Sequence, residues 1–136
     1  AEELGVNESL FIKSAMSFED LAQHYRSADL VVFPSYYEGQ GLIPLEALAS
    51  GTPVVTVDQA PLTEMIDDTV GGLFDRGDFV GLAKAVCDEL NGHVQRMKKA
   101  KAGRKRVLEN FTLEGQAESY EDVFMRSVQK RRWRDS

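Results

Sequence analysis

The stretch LVVFPSYYEGQGLIPLEALASGTPVVTV, Leu30 to Val57, decides the fold. Leu30 to Phe33 is apolar without alternation and rich in β-branched residues, the signature of a strand buried on both faces in a parallel sheet, and Pro34 stops it. Gly39 and Gly41 then make a turn. Leu42, Leu45, Ala47, Leu48 and Ala49 form a small-residue helix, which Gly51 ends in the left-handed conformation. Pro53 to Val57 is a second buried strand. Strand, helix and strand in this order imply a right-handed crossover between parallel neighbours. Ligands of such sheets bind outside the carboxyl ends of the strands. Glu38 stands at that mouth, and Glu46 falls five residues past Gly41, more than one turn into the helix.

Upstream, the apolar run Ser9 to Lys13 is expected to add a strand. Ser17 with Asp20 resembles a capping box, opening a helix on which Phe18, Leu21, Ala22, Tyr25 and Ala28 recur at helical spacing. Downstream, the polar loop Asp58 to Pro61 leads to a short helix over Leu62 to Ile66 and a strand at Gly71 to Phe74. Asp78 caps a helix from Phe79 to Leu90, and His93 to about Arg132 reads as two helices broken near Asn110 to Thr112. The expected class is α/β, a parallel sheet with helices on both faces, in one domain over residues 1–136. Four strands fall short of the five or six of a complete doubly wound sheet. The opening AEELGVNESLF reads as a helix tail feeding a strand, without an initiator Met. The chain is therefore expected to be part of something longer, with one or two strands before Ala1.

Composition narrows the function. A 43% hydrophobic chain of 136 residues can bury a single core, and its charges are of both signs, so neither a disordered nor a repetitive class is favoured. The formal net charge of −6 makes the molecule as a whole a poor electrostatic partner for nucleic acid or an anionic membrane, without excluding a local basic patch. The lone Cys87 cannot close an intramolecular disulfide and reads as a small residue at the edge of a helix face, compatible with a cytoplasmic setting. His24 and His93 have no companions at ligand spacing, so no metal site is expected. Arg96, Lys98, Lys99, Lys101, Arg104, Lys105 and Arg106 make a basic helix. It reads first as a solvated face and second as a contact with an anionic membrane, peripheral at its inner face, or with a lipid-linked acceptor.

The turn Glu38-Gly39-Gln40-Gly41, after a buried strand and before a helix, is the required context for a phosphate-binding loop. Backbone N–H groups of Gly39, Gln40, Gly41 and Leu42 can meet phosphates, while carboxylates accept from sugar hydroxyls. Pro44 occupies the place of a third glycine, which favours a mononucleotide over a nicotinamide or flavin. The residues alone equally admit Glu46 as a solvated helix position and Glu38 as a partner of the helix dipole.

The longer stretch FEDLAQHYRSADLVVFPSYYEGQGLIPLEALASGTPVV resembles the donor-binding half of retaining glycosyltransferases of family 4, the glycosyl transferases group 1, which have the two-domain GT-B fold. The order AD, strand, PS, E-G-x-G, E-A, A-S-G-x-P-V-V, E and G-G-L carries the resemblance, which runs from Ala1 to about Phe111. It implies a C-terminal, nucleotide-sugar-binding domain that transfers a glycosyl group, with hexosyl expected, to an acceptor hydroxyl with retention and without a metal or other cofactor. By its E-x(7)-E pattern Glu38 would be the catalytic residue facing the transferred sugar, and Glu46 would take the ribose hydroxyls. Gly39, Gln40, Gly41 and Leu42 would offer amides to the sugar and diphosphate. Ile12 to Ala15, with Lys13 and Ser14, would border the base, and Glu64 would shape a loop. The acceptor, a carbohydrate or lipid-linked group, would be held by an N-terminal domain absent from this sequence. An Arg and a Lys that hold the diphosphate in similar enzymes are absent with it, so the isolated chain is expected to turn over little. In similar enzymes the last helix crosses back toward that domain, and Trp133 would pack there.

Two departures from the family pattern stand out. Gln40 replaces the aromatic of E-G-F-G, and Asp58-Gln59-Ala60-Pro61 replaces a glycine-rich turn. A non-catalytic subunit or interaction domain keeping the fold is the alternative. A phosphoacceptor receiver domain lacks its acidic pair and its lysine here.

Overall fold

Three apolar runs pair into one parallel sheet in the computed structural model, which describes the backbone of residues 2–132 and the side chains of residues 3–129. The strands are β1 (Val31–Phe33), β2 (Val54–Val57) and β3 (Gly71–Phe74), in the order β1-β2-β3. Val31 pairs with Val54 and Val54 with Gly71. Gly71 is required by this register, because a Cβ there would overlap the Val54 carbonyl oxygen. β2 is buried along its whole length, as its unalternating sequence demands.

Among the described residues there are five α-helices: α1 (Phe18–Ser27), α2 (Leu42–Ala49), α3 (Phe79–Asn91), α4 (His93–Asn110) and α5 (Leu113–Arg132). Alternate residues of β2 build two cores. Val54 joins Leu45, Leu48, Leu62, Ile66, Val70 and Val107 beneath α2 and α4, with Tyr25 of α1 packed against them. Val55 and Val57 join Phe74 on the opposite face, where Leu82, Ala85 and Val86 of α3 close over them. Helices thus cover both faces. On the α2 side, α4 approaches closely enough that a Cβ on Gly103 would lie 2.6 Å from Leu48 Cδ2. Across the layers, Glu89 of α3 is buried against Lys99 of α4, whose ammonium also donates to the Gly71 carbonyl at 2.8 Å. The two ends of this buried pair are mutually satisfied, which is the condition for tolerating charge in a core.

The helix boundaries follow their caps. Ser17 Oγ accepts from Asp20 N at 3.1 Å and donates to the Asp20 carboxylate at 2.8 Å, so α1 opens with half of the expected box. Asp78 Oδ1 accepts from Gly81 N at 2.8 Å at the start of α3. Thr112 Oγ1 accepts from Gly115 N at 3.1 Å where α4 breaks into α5.

Two N-terminal expectations fail, the strand at Ser9 to Lys13 and the helix tail before it. The sheet has three strands among the described residues, and Ser9 to Lys13 is not one of them. The opening segment forms two short 3-10 turns, Glu2–Leu4 and Asn7–Ser9, in place of a helix tail. An isolated apolar run gains nothing by extending unless a neighbour supplies ladder hydrogen bonds, and none lies beside it. Phe11, Ile12 and Phe18 remain exposed in consequence. Trp133 lies outside the described residues.

Candidate functional site

The carboxyl end of β1 runs into the loop Pro34 to Gly41, and α2 begins immediately after it. Gly41 adopts φ +86°, ψ +62° and turns the chain into the helix. A Cβ at that position would lie 2.8 Å from Leu62 Cδ2 and 3.1 Å from Met65 Cε, so geometry and packing both demand glycine. Gly39 differs: its φ is not left-handed, and nothing lies within 4 Å of a Cβ placed there. Gly39 therefore fronts open space. No side chain caps α2, in contrast to α1 and α3, which leaves its first N–H groups for an incoming acceptor.

Glu46 sits half-buried on the second turn of α2, and the Tyr25 hydroxyl donates to its Oε2 at 3.2 Å. Burial, reinforced by the Glu46 charge and this hydrogen bond, pushes the Tyr25 hydroxyl up to about 12. The phenol therefore stays a donor, and the carboxylate is fixed in direction. Tyr25 is itself anchored, since its carbonyl accepts from Thr52 Oγ1 at 2.5 Å. One residue earlier on α1, His24 Nε2 meets Lys13 Nζ at 2.8 Å while its Nδ1 faces the Asp20 carbonyl at 2.7 Å. A neutral ring protonated on Nδ1 satisfies both contacts. α1 thus ties down two of the expected site residues, Lys13 and Glu46. Ser14 is exposed in the extended segment before α1.

Glu38 is half-buried in the β1–α2 loop. The start of that loop is gripped by residues the sequence did not single out. The Arg76 guanidinium lies 5.1 Å from the Tyr36 ring centroid and 4.9 Å from that of Tyr37, and it donates to the Tyr37 hydroxyl at 2.8 Å. Gly77 N donates to the Tyr36 hydroxyl at 3.2 Å. Gln59 Nε2 donates to the Tyr36 carbonyl at 2.5 Å, so the replaced turn after β2 serves as a strut for the loop bearing Glu38. Gln40, Leu42 and Leu45 form one wall of a cleft of about 410 Å³, whose other wall is Phe111, Leu113 and Tyr120 of the α4–α5 region. The expected aromatic at position 40 is replaced by a polar side chain facing this cleft. Glu64 is exposed at the end of a 3-10 turn, Leu62–Glu64. Among the described residues no cluster of His, Cys, Asp and Glu is arranged to hold a metal ion.

A parallel sheet covered on both faces, with a glycine turn, an uncapped helix N-terminus and an oriented carboxylate at its carboxyl edge, is a Rossmann-like α/β fragment with a candidate ligand site. The family model for glycosyl transferases group 1 matches residues 1–106, and the chain belongs to that family. A D-inositol 3-phosphate glycosyltransferase of Salinispora tropica is 35% identical over 135 residues, which is 98% of this chain and 28% of that protein. Among solved structures, sucrose-phosphate synthase from Thermosynechococcus elongatus superposes with a TM-score of 0.85 at 29% identity, over 95% of this chain and 33% of that one. S. aureus TarM, in complex with fondaparinux, α-GlcNAc-glycerol and UDP, gives 0.79 at 25% identity, over 90% of this chain and 25% of its own. The chain spans about a sixth to just over a quarter of the length of the curated relatives it matches.

Proposed function

We propose that this chain is the C-terminal, donor-binding half of a retaining family 4 glycosyltransferase, and that it holds a nucleoside diphosphate sugar across the uncapped start of α2. The observation that carries the reading is Glu46, aimed by Tyr25 beside a helix N-terminus with no side-chain cap. The UDP in the TarM complex supports a nucleoside diphosphate. Tyr25 occupies Glu46 Oε2 and leaves Oε1 to accept from a ribose hydroxyl. The N–H groups from Gly39 to Leu42 meet the diphosphate, and their dipoles strengthen as negative charge develops on the leaving group. Glu38 faces the transferred sugar, whose oxocarbenium-like character its carboxylate stabilises. Lys13 and Ser14 border the base.

In this reading no metal is needed, because backbone dipoles and basic side chains neutralise the leaving diphosphate. The acceptor hydroxyl approaches from the N-terminal domain. The name of the Salinispora relative supports a small phosphorylated polyol as one acceptor class, beside carbohydrate and lipid-linked hydroxyls. The test is to incubate the whole protein with uridine, guanosine and adenosine diphosphate sugars and to follow transfer and hydrolysis. Release of a nucleoside diphosphate from one of them supports the assignment. A folded protein that consumes none would make the chain a non-catalytic subunit.

A further inference from the structure

The basic helix α4 sorts its side chains in an unexpected way. Seven of the sixteen Lys and Arg residues of the chain lie on it, against one of the twenty-two Asp and Glu residues, Glu109. Four of these cations are tied to the protein's own groups. Arg96 donates to the Glu89 and Leu90 carbonyls and to Asp29. Lys99 binds Glu89 and the Gly71 carbonyl, and Arg104 donates to the Ala49 carbonyl. Arg106 reaches the Met65 carbonyl and the Asp67 carboxylate. The solvated-face reading therefore fails for Arg96, Lys99 and Arg106, which are turned inward, while Arg104 stays exposed.

The outward face carries what a solvated face would not. Positions 94, 97, 98, 101, 105 and 108 recur at helical spacing opposite the packed residues Arg96, Lys99, Gly103 and Val107. Val94, Met97 and Leu108 on this stripe are 68%, 50% and 58% exposed. Lys98, Lys101 and Lys105 interleave with them, and among the described residues Lys98 and Lys101 form no ion pair. Lys105 has only an exposed partner, Glu109, at 3.7 Å, a contact of little energetic weight. Apolar side chains ringed by lysines, on a chain that is acidic elsewhere, form a surface whose charge matches anionic headgroups and whose stripe matches the acyl boundary.

We propose that the outward face of α4 docks on an anionic lipid bilayer, with Val94, Met97 and Leu108 entering the interface and Lys98, Lys101 and Lys105 meeting the headgroups. The acidic remainder of the molecule is repelled by the same surface, so the field orients α4 toward it. No helix of the described residues is long and apolar enough to cross a membrane, which fits contact with the surface. This surface is independent of the donor site.

The test is co-sedimentation of the whole protein with vesicles of phosphatidylcholine and of a phosphatidylcholine–phosphatidylglycerol mixture. Binding is expected to the mixture only and to fall with added salt. Each lysine near such a surface is worth roughly a five-fold change in partitioning, so neutralising all three with Lys98→Gln, Lys101→Gln and Lys105→Gln should weaken binding about a hundred-fold. A second variant, Met97→Ser with Leu108→Ser, should also weaken it, and both variants should retain wild-type circular dichroism and nucleotide binding. Failure to sediment with the mixture, equal binding to neutral vesicles, or undiminished binding by the triple variant would each overturn the proposal.

Discussion

Gly39 and Gly41 stand two residues apart in one loop, yet alanine should act on them in opposite directions. At Gly41 the φ of +86° places an L-residue in the left-handed region, which costs roughly 1–2 kcal/mol. The new Cβ would also press on Leu62 and Met65, both 2% exposed or less, and displacing packed side chains adds about 1 kcal/mol. Gly41→Ala should therefore destabilise the chain by about 2–3 kcal/mol. With a urea dependence of about 1–3 kcal/mol per molar, the midpoint should fall by roughly 0.7–3 M. Gly39→Ala meets no atom within 4 Å and no positive φ, so the loss of unfolded-state freedom should leave stability unchanged or raise it by up to about 1 kcal/mol. Urea titration followed by circular dichroism measures both. Equal midpoints for the two variants, or a tolerated Gly41→Ala, would refute the assignment of a left-handed, core-facing residue to position 41.

Further outcomes rest on contacts distant in sequence. Tyr25→Phe removes the donor to Glu46 Oε2; calorimetry should show nucleoside diphosphate affinity falling about three- to ten-fold, a loss on the order of 1 kcal/mol. Arg76→Ala releases Tyr36 and Tyr37, should cost about 1–2 kcal/mol in thermal unfolding, and should open the loop before Glu38 to limited proteolysis. The Asp67 carboxyl is held down to about 2 by hydrogen bonds from Thr69 and then by Arg106, against the opposing effect of burial. Its folded value lies below its unfolded one, so its contribution is present above about pH 4 and lost as pH falls through about 2. Because the side chain is 51% exposed, solvent screening limits that contribution to about 1 kcal/mol. Arg106→Ala should flatten this acid limb in pH-dependent urea titrations.

The segments legible in the sequence are those whose signal is local. β2 reads as buried because Val54 to Val57 is apolar or β-branched at every position, and α3 begins where Asp78 offers a cap. Gly51 and Gly41 mark the ends of α2 by the conformation only glycine adopts easily. The run at Ser9 misleads because an apolar strand sequence does not carry its own pairing partner. At the candidate site, spacing and family pattern single out Glu38, Glu46 and the glycine turn. Tyr25 was visible only as an apolar helix position, since its hydroxyl finds Glu46 across 21 residues. Arg76 gave no signal, because its two tyrosine partners lie in the loop after a different strand. Gln59 was apparent only as a departure from a glycine-rich turn. The inward turning of Arg96, Lys99 and Arg106 was equally hidden, because a run of cations does not reveal which of them meet carbonyls.

Glu46 on α2 is proposed to receive the ribose of a nucleoside diphosphate. Calorimetric titration of the whole protein and its Glu46→Gln variant with UDP, GDP and ADP tests it most directly. One of the three should bind the wild type, and the variant should bind it about 5- to 150-fold more weakly, the equivalent of about 1–3 kcal/mol for unpaired polar partners. A folded variant with an unchanged dissociation constant would contradict it.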